Sequence, residues 1–188
     1  MPSSPGQNKT TETDYPASIK DFSLHVADRI KTAIENNIEN VNLTVGLGRF
    51  YRDITELCNS YKEAVTAVKT GKSIWGTNRI YHYDDLGFYR LLESYPHKAE
   101  LSNYAKEVLN PLIEYDQKNR SELLQTLEQL MANCGNQKAT AEKLFVHNKT
   151  LAYRKKKIQE TLNLSLNDAE DVFNICIALR IIKVMDNS

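Results

Sequence analysis

Between Asn136 and Leu162 the chain has to make two helices in quick succession, and few folds accommodate that. The run reads QKATAEKLFVHNKTLAYRKKKIQ from Gln137. A helix-turn-helix needs a short helix, a turn of three or four residues and a second helix crossing the first steeply. So close a crossing demands a small residue at the contact, and Ala141 supplies it. Leu144 and Val146 are expected to bury the turn. Leu151 and Ile158, seven apart on the second helix, pack down onto the first. Asn148 is expected to cap that second helix, its side-chain oxygen accepting a free backbone N–H. Ala141, Leu144, Val146, Leu151 and Ile158 therefore form the expected core of the motif.

The outward face of the second helix, about 149–162, carries Lys149, Tyr153, Lys156 and Glu160, flanked by Ala152 and Lys157. The whole chain has 24 basic and 24 acidic residues and no net charge. From Lys138 to Glu160, however, seven basic residues face two acidic ones, a local +5 on an otherwise acidic chain. Such an island is the footprint of a polyanion-binding site. A helix of this kind enters the major groove, reads bases with its first residues and grips phosphates with its lysines. The candidate DNA-binding residues are Lys138, Asn148, Lys149, Thr150, Tyr153, Arg154, Lys156 and Lys157, with double-stranded DNA as partner. Arg154, to one side of the inner face, suits an internal ion pair as well as a phosphate. His147 has no second ligand at helical spacing, so packing or a backbone bond is expected of it rather than a metal. The competing reading is a lysine-faced helical hairpin serving protein interaction or dimerisation without DNA.

Upstream the pattern is mixed. Residues 1–14 have the composition of a disordered leader or cloning remnant. Ile19–Ile38 has helical periodicity through Phe22, Val26, Ile30, Ala33 and Ile34. Val41–Gly48 alternates at period two and predicts a strand, as does Arg79–Tyr83. Between them a helix capped by Asp53 is expected to turn Tyr61, Ala64, Val65 and Val68 inward and to end at Gly71. A helix opens at Asp84 or Asp85, and another runs from Lys98 to Leu109, stopping at Pro111. The strands then cease. Helices are expected over Glu122–Ala132, ended by Gly135 as its C′ residue, and from an Asn167–Glu170 capping box to about Met185.

The fold class is thus mainly α (α+β): an N-terminal part with a small two-stranded sheet and helices, then an all-α helix-turn-helix domain. The expected divisions are 1–14, 15–115 and 116–188. A two-stranded sheet is marginal alone, so further strands are expected from a partner chain or from upstream sequence.

Other functions find little footing. No apolar run approaches the roughly 20 residues that span a bilayer, and a cytoplasmic setting is expected. Cys58, Cys134 and Cys176 form no CxxC pair and no zinc spacing with histidine. They read as free thiols. Gly46 and Gly48 give only GLG, too short for a dinucleotide fingerprint, and no nucleophile–base set accompanies them. No enzyme activity, metal or cofactor is expected.

In its last 60 or so residues, Glu122 to Ile181, the chain resembles the C-terminal DNA-binding domain of PucR/CdaR-type regulators. The shared features are Gly135 and Asn136, Ala141, the run Leu144, Phe145, Val146 and His147, then Thr150, Leu151, Tyr153, Arg154 and Ile158. Glu170, Asp171, Ala178, Leu179 and Arg180 complete them. LTVGLGRFYRDITELCNSYKEAVTAVKTGK and RIYHYDDLGFYRLL resemble the later half of the degenerate GGDEF-like domain that precedes it in the family. No GG(D/E)EF signature is present, so the resemblance implies no cyclase. It implies sequence-specific transcription regulation, with an effector-sensing domain missing from this chain. The Asn148–Lys149 order, Ala152 in place of a frequent Arg and Lys155 in place of a usual Leu depart from the family pattern and bear on base preference. Lys155 can lay its stem on apolar surface.

The last helix is apolar nearly all round, from Val172 to Met185. It is expected to pack partly on the helix-turn-helix and partly, over 168–185, against a second copy in a homodimer.

Overall fold

Helix starts follow from which side chains can take up free backbone N–H groups. In the computed structural model, which describes residues 18–185, Ser18 Oγ accepts the N–H of Asp21 at 3.1 Å and opens α1, Ile19–Asn37. The expected leader, 1–14, lies outside the described residues. The chain forms two compact units that divide between Leu86 and Gly87.

In the first unit β1, Val45–Leu47, pairs in parallel with β2, Ile80–His82, in the register Val45↔Ile80 and Leu47↔His82. A parallel pair needs a crossover, and α2, Leu57–Trp75, provides it. Asp53 caps a single 3₁₀ turn, Ile54–Glu56, ahead of α2 rather than α2 itself. Both strands are shorter than the alternating runs that predicted them.

The expected end of α2 at Gly71 is corrected. The helix passes through Gly71 and stops at Gly76, whose φ of 94° suits only glycine. Gly71 serves a close approach: a Cβ there would lie 2.4 Å from the Tyr81 ring. At Gly46 a Cβ would lie 2.2 Å from Ala64 O, and at Gly48 2.0 Å from Ser60 O. The sheet therefore meets α2 backbone to backbone, along the helix's smallest side chains. That turns Glu63, Ala67, Thr70 and Gly71 inward and leaves Tyr61 and Val65 exposed. On α1 only Ala27 is buried; Phe22, Val26 and Ile30 stand exposed.

Glu63 is the polar hub of this unit. Its carboxylate accepts from Arg49 N at 2.9 Å, Arg49 Nε at 2.8 Å and Tyr51 Oη at 2.8 Å. Burial disfavours the charged carboxylate, but these donors outweigh it and hold its pKa below the ordinary value.

The second unit is all helix: α3 Tyr89–Ser94, α4 Lys98–Asn119, α5 Leu123–Ala132, α6 Gln137–Lys143, α7 Asn148–Leu162 and α8 Ala169–Met185. Its start at Gly87 places α3 and α4 with the C-terminal helices, ahead of the expected division at 115/116, because Ala105, Leu109 and Leu112 of α4 belong to their core. Pro111 does not stop α4. Pro111 and Glu107, whose carbonyl loses its partner, lie on the solvent face, while Leu109 and Leu112 are fully buried.

From the end of α4, Asp116 accepts the N–H of Leu123 at 2.9 Å and of Leu124 at 2.8 Å, capping α5 from outside it. At the other end of α5 the left-handed C′ residue is Cys134, φ 50°, with Gly135 one place later. The N–H of Cys134 bonds Met131 O and that of Gly135 bonds Leu130 O, a Schellman closure shifted by one from the expectation. The last helix is capped by Asp168 rather than Asn167: Asp168 Oδ1 accepts from Glu170 N and Asp171 N. The principal neighbours of α8 are α4 and α3, not the helix-turn-helix. Tyr104 Oη donates to Asn174 Oδ1 at 3.0 Å across the α4–α8 contact.

Candidate nucleic-acid interface

The two helices of the motif are short because each has a definite start and stop. Asn136 Oδ1 accepts the N–H of Ala139 at 3.1 Å and opens α6. Thr140, fully buried, donates to Asn136 O at 2.7 Å and accepts from Asn133 Nδ2 at 3.3 Å. Phe145 N bonds Glu142 O at 3.2 Å and Val146 N bonds Ala141 O at 3.0 Å, a second Schellman closure with Phe145 left-handed at φ 54°.

The start of α7 differs from the expectation. Its cap is His147, whose Nδ1 accepts the N–H of Lys149 at 3.2 Å; Asn148 is the first helical residue. The histidine thus makes the backbone bond expected of it. Among the described residues no group of three or more His, Cys, Asp or Glu could hold a metal.

Ala141, Leu151 and Ile158 are buried as the core of the crossing. Leu144 and Val146 are only half-buried, since the turn lies at the edge of the unit. Packing against α4, α5 and α6 fixes the inner face of α7. Asn148, Lys149, Thr150, Ala152, Tyr153 and Lys156 remain exposed along the other face, and Lys138 is exposed in the first turn of α6.

One basic residue turns aside. Arg154 donates to Thr126 Oγ1 and to Glu122 Oε2, each at 3.1 Å, so the internal ion pair is the arrangement present. Lys157 Nζ sits 5.3 Å from the Tyr115 ring centre and 3.4 Å from Glu160 Oε2. Lys156 approaches Glu160 at 3.8 Å with its side chain 78% exposed. Pairs this exposed contribute little and exchange readily for a phosphate. Lys155 is half-buried, in keeping with a stem laid on apolar surface.

Phe145 escapes the sequence pattern. It stands in the turn between Leu144 and Val146, among the residues shared with the family, and is 96% exposed.

Residues 123–181, from α5 into α8, match the family model of the PucR C-terminal helix-turn-helix domain. This region belongs to the PucR family. Three relatives extend the likeness beyond the PucR domain. The proline-responsive transcriptional activator PutR of Bacillus subtilis (strain 168) is 35% identical over 140 residues, 74% of this chain and 34% of the relative. The DNA-binding transcriptional activator AdeR of the same organism is 26% identical over 172 residues, 90% of this chain and 40% of the relative. The carbohydrate diacid regulator of Escherichia coli (strain K12) is 30% identical over 138 residues, 73% of this chain and 35% of the relative. The chain therefore spans only a third to two-fifths of these proteins. Two of these relatives are named as transcriptional activators and the third as a carbohydrate diacid regulator, and the matched region is a helix-turn-helix domain.

Proposed function

We propose that this chain is the DNA-reading end of a sequence-specific transcription regulator, with α7 lying in the major groove. The observation that carries the reading is the exposed face of α7 within a PucR-type domain. Asn148, Lys149, Thr150 and Tyr153 stand free at the end of the helix that reads bases, and Lys156 follows one turn later. Lys157 and Lys138 extend the basic surface toward flanking phosphates. Arg154 holds α7 against α5 instead. The relatives' names support regulation of transcription; the same chemistry gives no reason to assign an enzyme activity. Such a protein works where the chromosome is, the cytoplasm in a bacterium. No described helix is long and apolar enough to cross a membrane.

Two further parts of the reading concern assembly. The N-terminal unit is part of a larger α+β domain, its sheet completed by upstream sequence or by a partner chain: it has two strands among the described residues, and Phe22, Val26 and Ile30 are uncovered. The intact regulator is a homodimer, since paired half-sites suit a two-fold protein. On α8 the side chain left for such a contact is Phe173, 58% exposed. Sedimentation velocity at micromolar concentration tests this, with a monomer throughout as the adverse result.

The deciding experiment for DNA binding is to pass fragmented genomic DNA over the purified chain and sequence what is retained. Enrichment of a common, two-fold-related site supports the proposal. Uniform retention, or none, refutes sequence-specific reading and leaves the protein-interaction alternative.

A further inference from the structure

The turn between α6 and α7 holds an aromatic side chain that the fold does not use. Phe145 is 96% exposed, the most exposed of the large apolar side chains among the described residues. It occupies the C′ position of α6, where the left-handed backbone favours glycine or asparagine. Left-handed non-glycine residues also end other helices of this unit, at Arg120, Cys134 and Asn163. The backbone form by itself is therefore ordinary. What sets Phe145 apart is that a large apolar group stands in water at a position whose backbone would be easier without it. Neither folding nor solubility accounts for its presence.

Its place in the motif suggests what does. Phe145 is two residues before His147, the cap of α7, and so lies at the end of that helix from which bases are read. Exposed Asn148, Lys149 and Thr150 follow at once, and Lys143 precedes it. Anything that docks on those groups approaches the phenyl ring too. Along DNA the apolar surfaces at a groove margin are the thymine methyl group and the deoxyribose carbons.

We infer that Phe145 is a DNA-contacting residue, its ring packing on the apolar surface of the duplex beside the N-terminus of α7. This rests on the proposed DNA-reading function and adds an uncharged contact to it. A ring displaces no counterion, so its share of affinity is insensitive to salt, unlike that of the lysines.

The test uses the full chain, a retained genomic fragment as probe, and the variants Phe145→Asn and Phe145→Gly. Both replacements suit the left-handed backbone, so thermal unfolding should be unchanged or shifted upward. Affinity should fall about tenfold, the scale of one good base contact, with the slope of log K against log salt unaltered. Remaking the probe with deoxyuridine for thymidine separates the two surfaces. A matching loss that vanishes in Phe145→Asn assigns the thymine methyl, and no loss assigns the sugar. Unchanged affinity in Phe145→Asn overturns the inference. So does a flattened salt slope, which would mean that the turn had displaced the lysines. If the unaltered chain binds no DNA, the functional proposal falls and takes this one with it.

Discussion

Arg154 reaches from α7 to the fully buried hydroxyl of Thr126 on α5, at 3.1 Å. The same hydroxyl donates to Glu122 O at 2.7 Å. A basic residue inside the helix proposed to read DNA is thereby used to hold that helix in place. Arg154→Ala should destabilise the C-terminal unit by about 1.5–2 kcal/mol, the worth of a hydrogen bond from a charged donor, and lower its Tm by several degrees. DNA affinity should drop only as far as α7 loosens. The salt slope of binding should stay put, whereas removing a phosphate-gripping cation would reduce it by about 0.9.

Lys156 and Lys157 should behave in the opposite way. Their side-chain partner in common is Glu160, half exposed, and Lys157 also lies over the Tyr115 ring, so replacing both with alanine should cost no more than about 1 kcal/mol of stability. Binding should weaken similarly on all sequences, and the salt slope should flatten by about one for each phosphate no longer neutralised. Titrations at three salt concentrations would read this out. An unchanged slope would place the phosphate-gripping groups elsewhere.

Gly71→Ala should damage the N-terminal unit without touching DNA chemistry. The added Cβ would lie 2.4–2.7 Å from three atoms of the Tyr81 ring. That ring is buried and its hydroxyl donates to Gly76 O at 2.6 Å, so it has little room to yield. Overpacking of this kind costs about 1–3 kcal/mol. Urea unfolding should show a lower midpoint, and a parent-like midpoint would mean that the helix and sheet separate easily.

Acid should act on the same unit through Glu63. Its folded-state pKa lies below the ordinary glutamate value of about 4.5. The stability it contributes is therefore complete above that value and lost as pH falls through the folded one. Glu63→Gln should destabilise the unit at neutral pH and make its stability flatter across that acid range. Equal acid sensitivity in parent and variant would assign the effect to other carboxylates.

The motif was legible in sequence where packing imposes a residue type. Ala141, Leu151 and Ile158 had to be small or apolar and spaced by helical turns, and they are buried at the crossing. Legibility failed where the same residue type serves two ends. Gly71 and Gly76 look alike as letters, but one lets a ring approach and the other takes a positive φ. Pro111 reads as a stop, yet on a solvent-facing turn its missing N–H costs little beside two buried leucines. Asn148 and His147 can both cap a helix, and spacing alone does not choose between them. Asp116 could not be read as the cap of α5, because its bonds to Leu123 and Leu124 cross a turn in space. Phe145 escaped notice because no periodicity marks a residue held out in solvent.

The long helix α4 has a practical consequence. Its 22 residues span about 33 Å, and it packs against α5, α7 and α8. A fragment cut at Asp116 would keep every residue of the family match and yet expose the floor on which α7 and α8 rest. Excised at Gly87, the reading unit carries that floor with it. The smallest portable helix-turn-helix module in this chain is therefore set by α4 rather than by the limits of the motif.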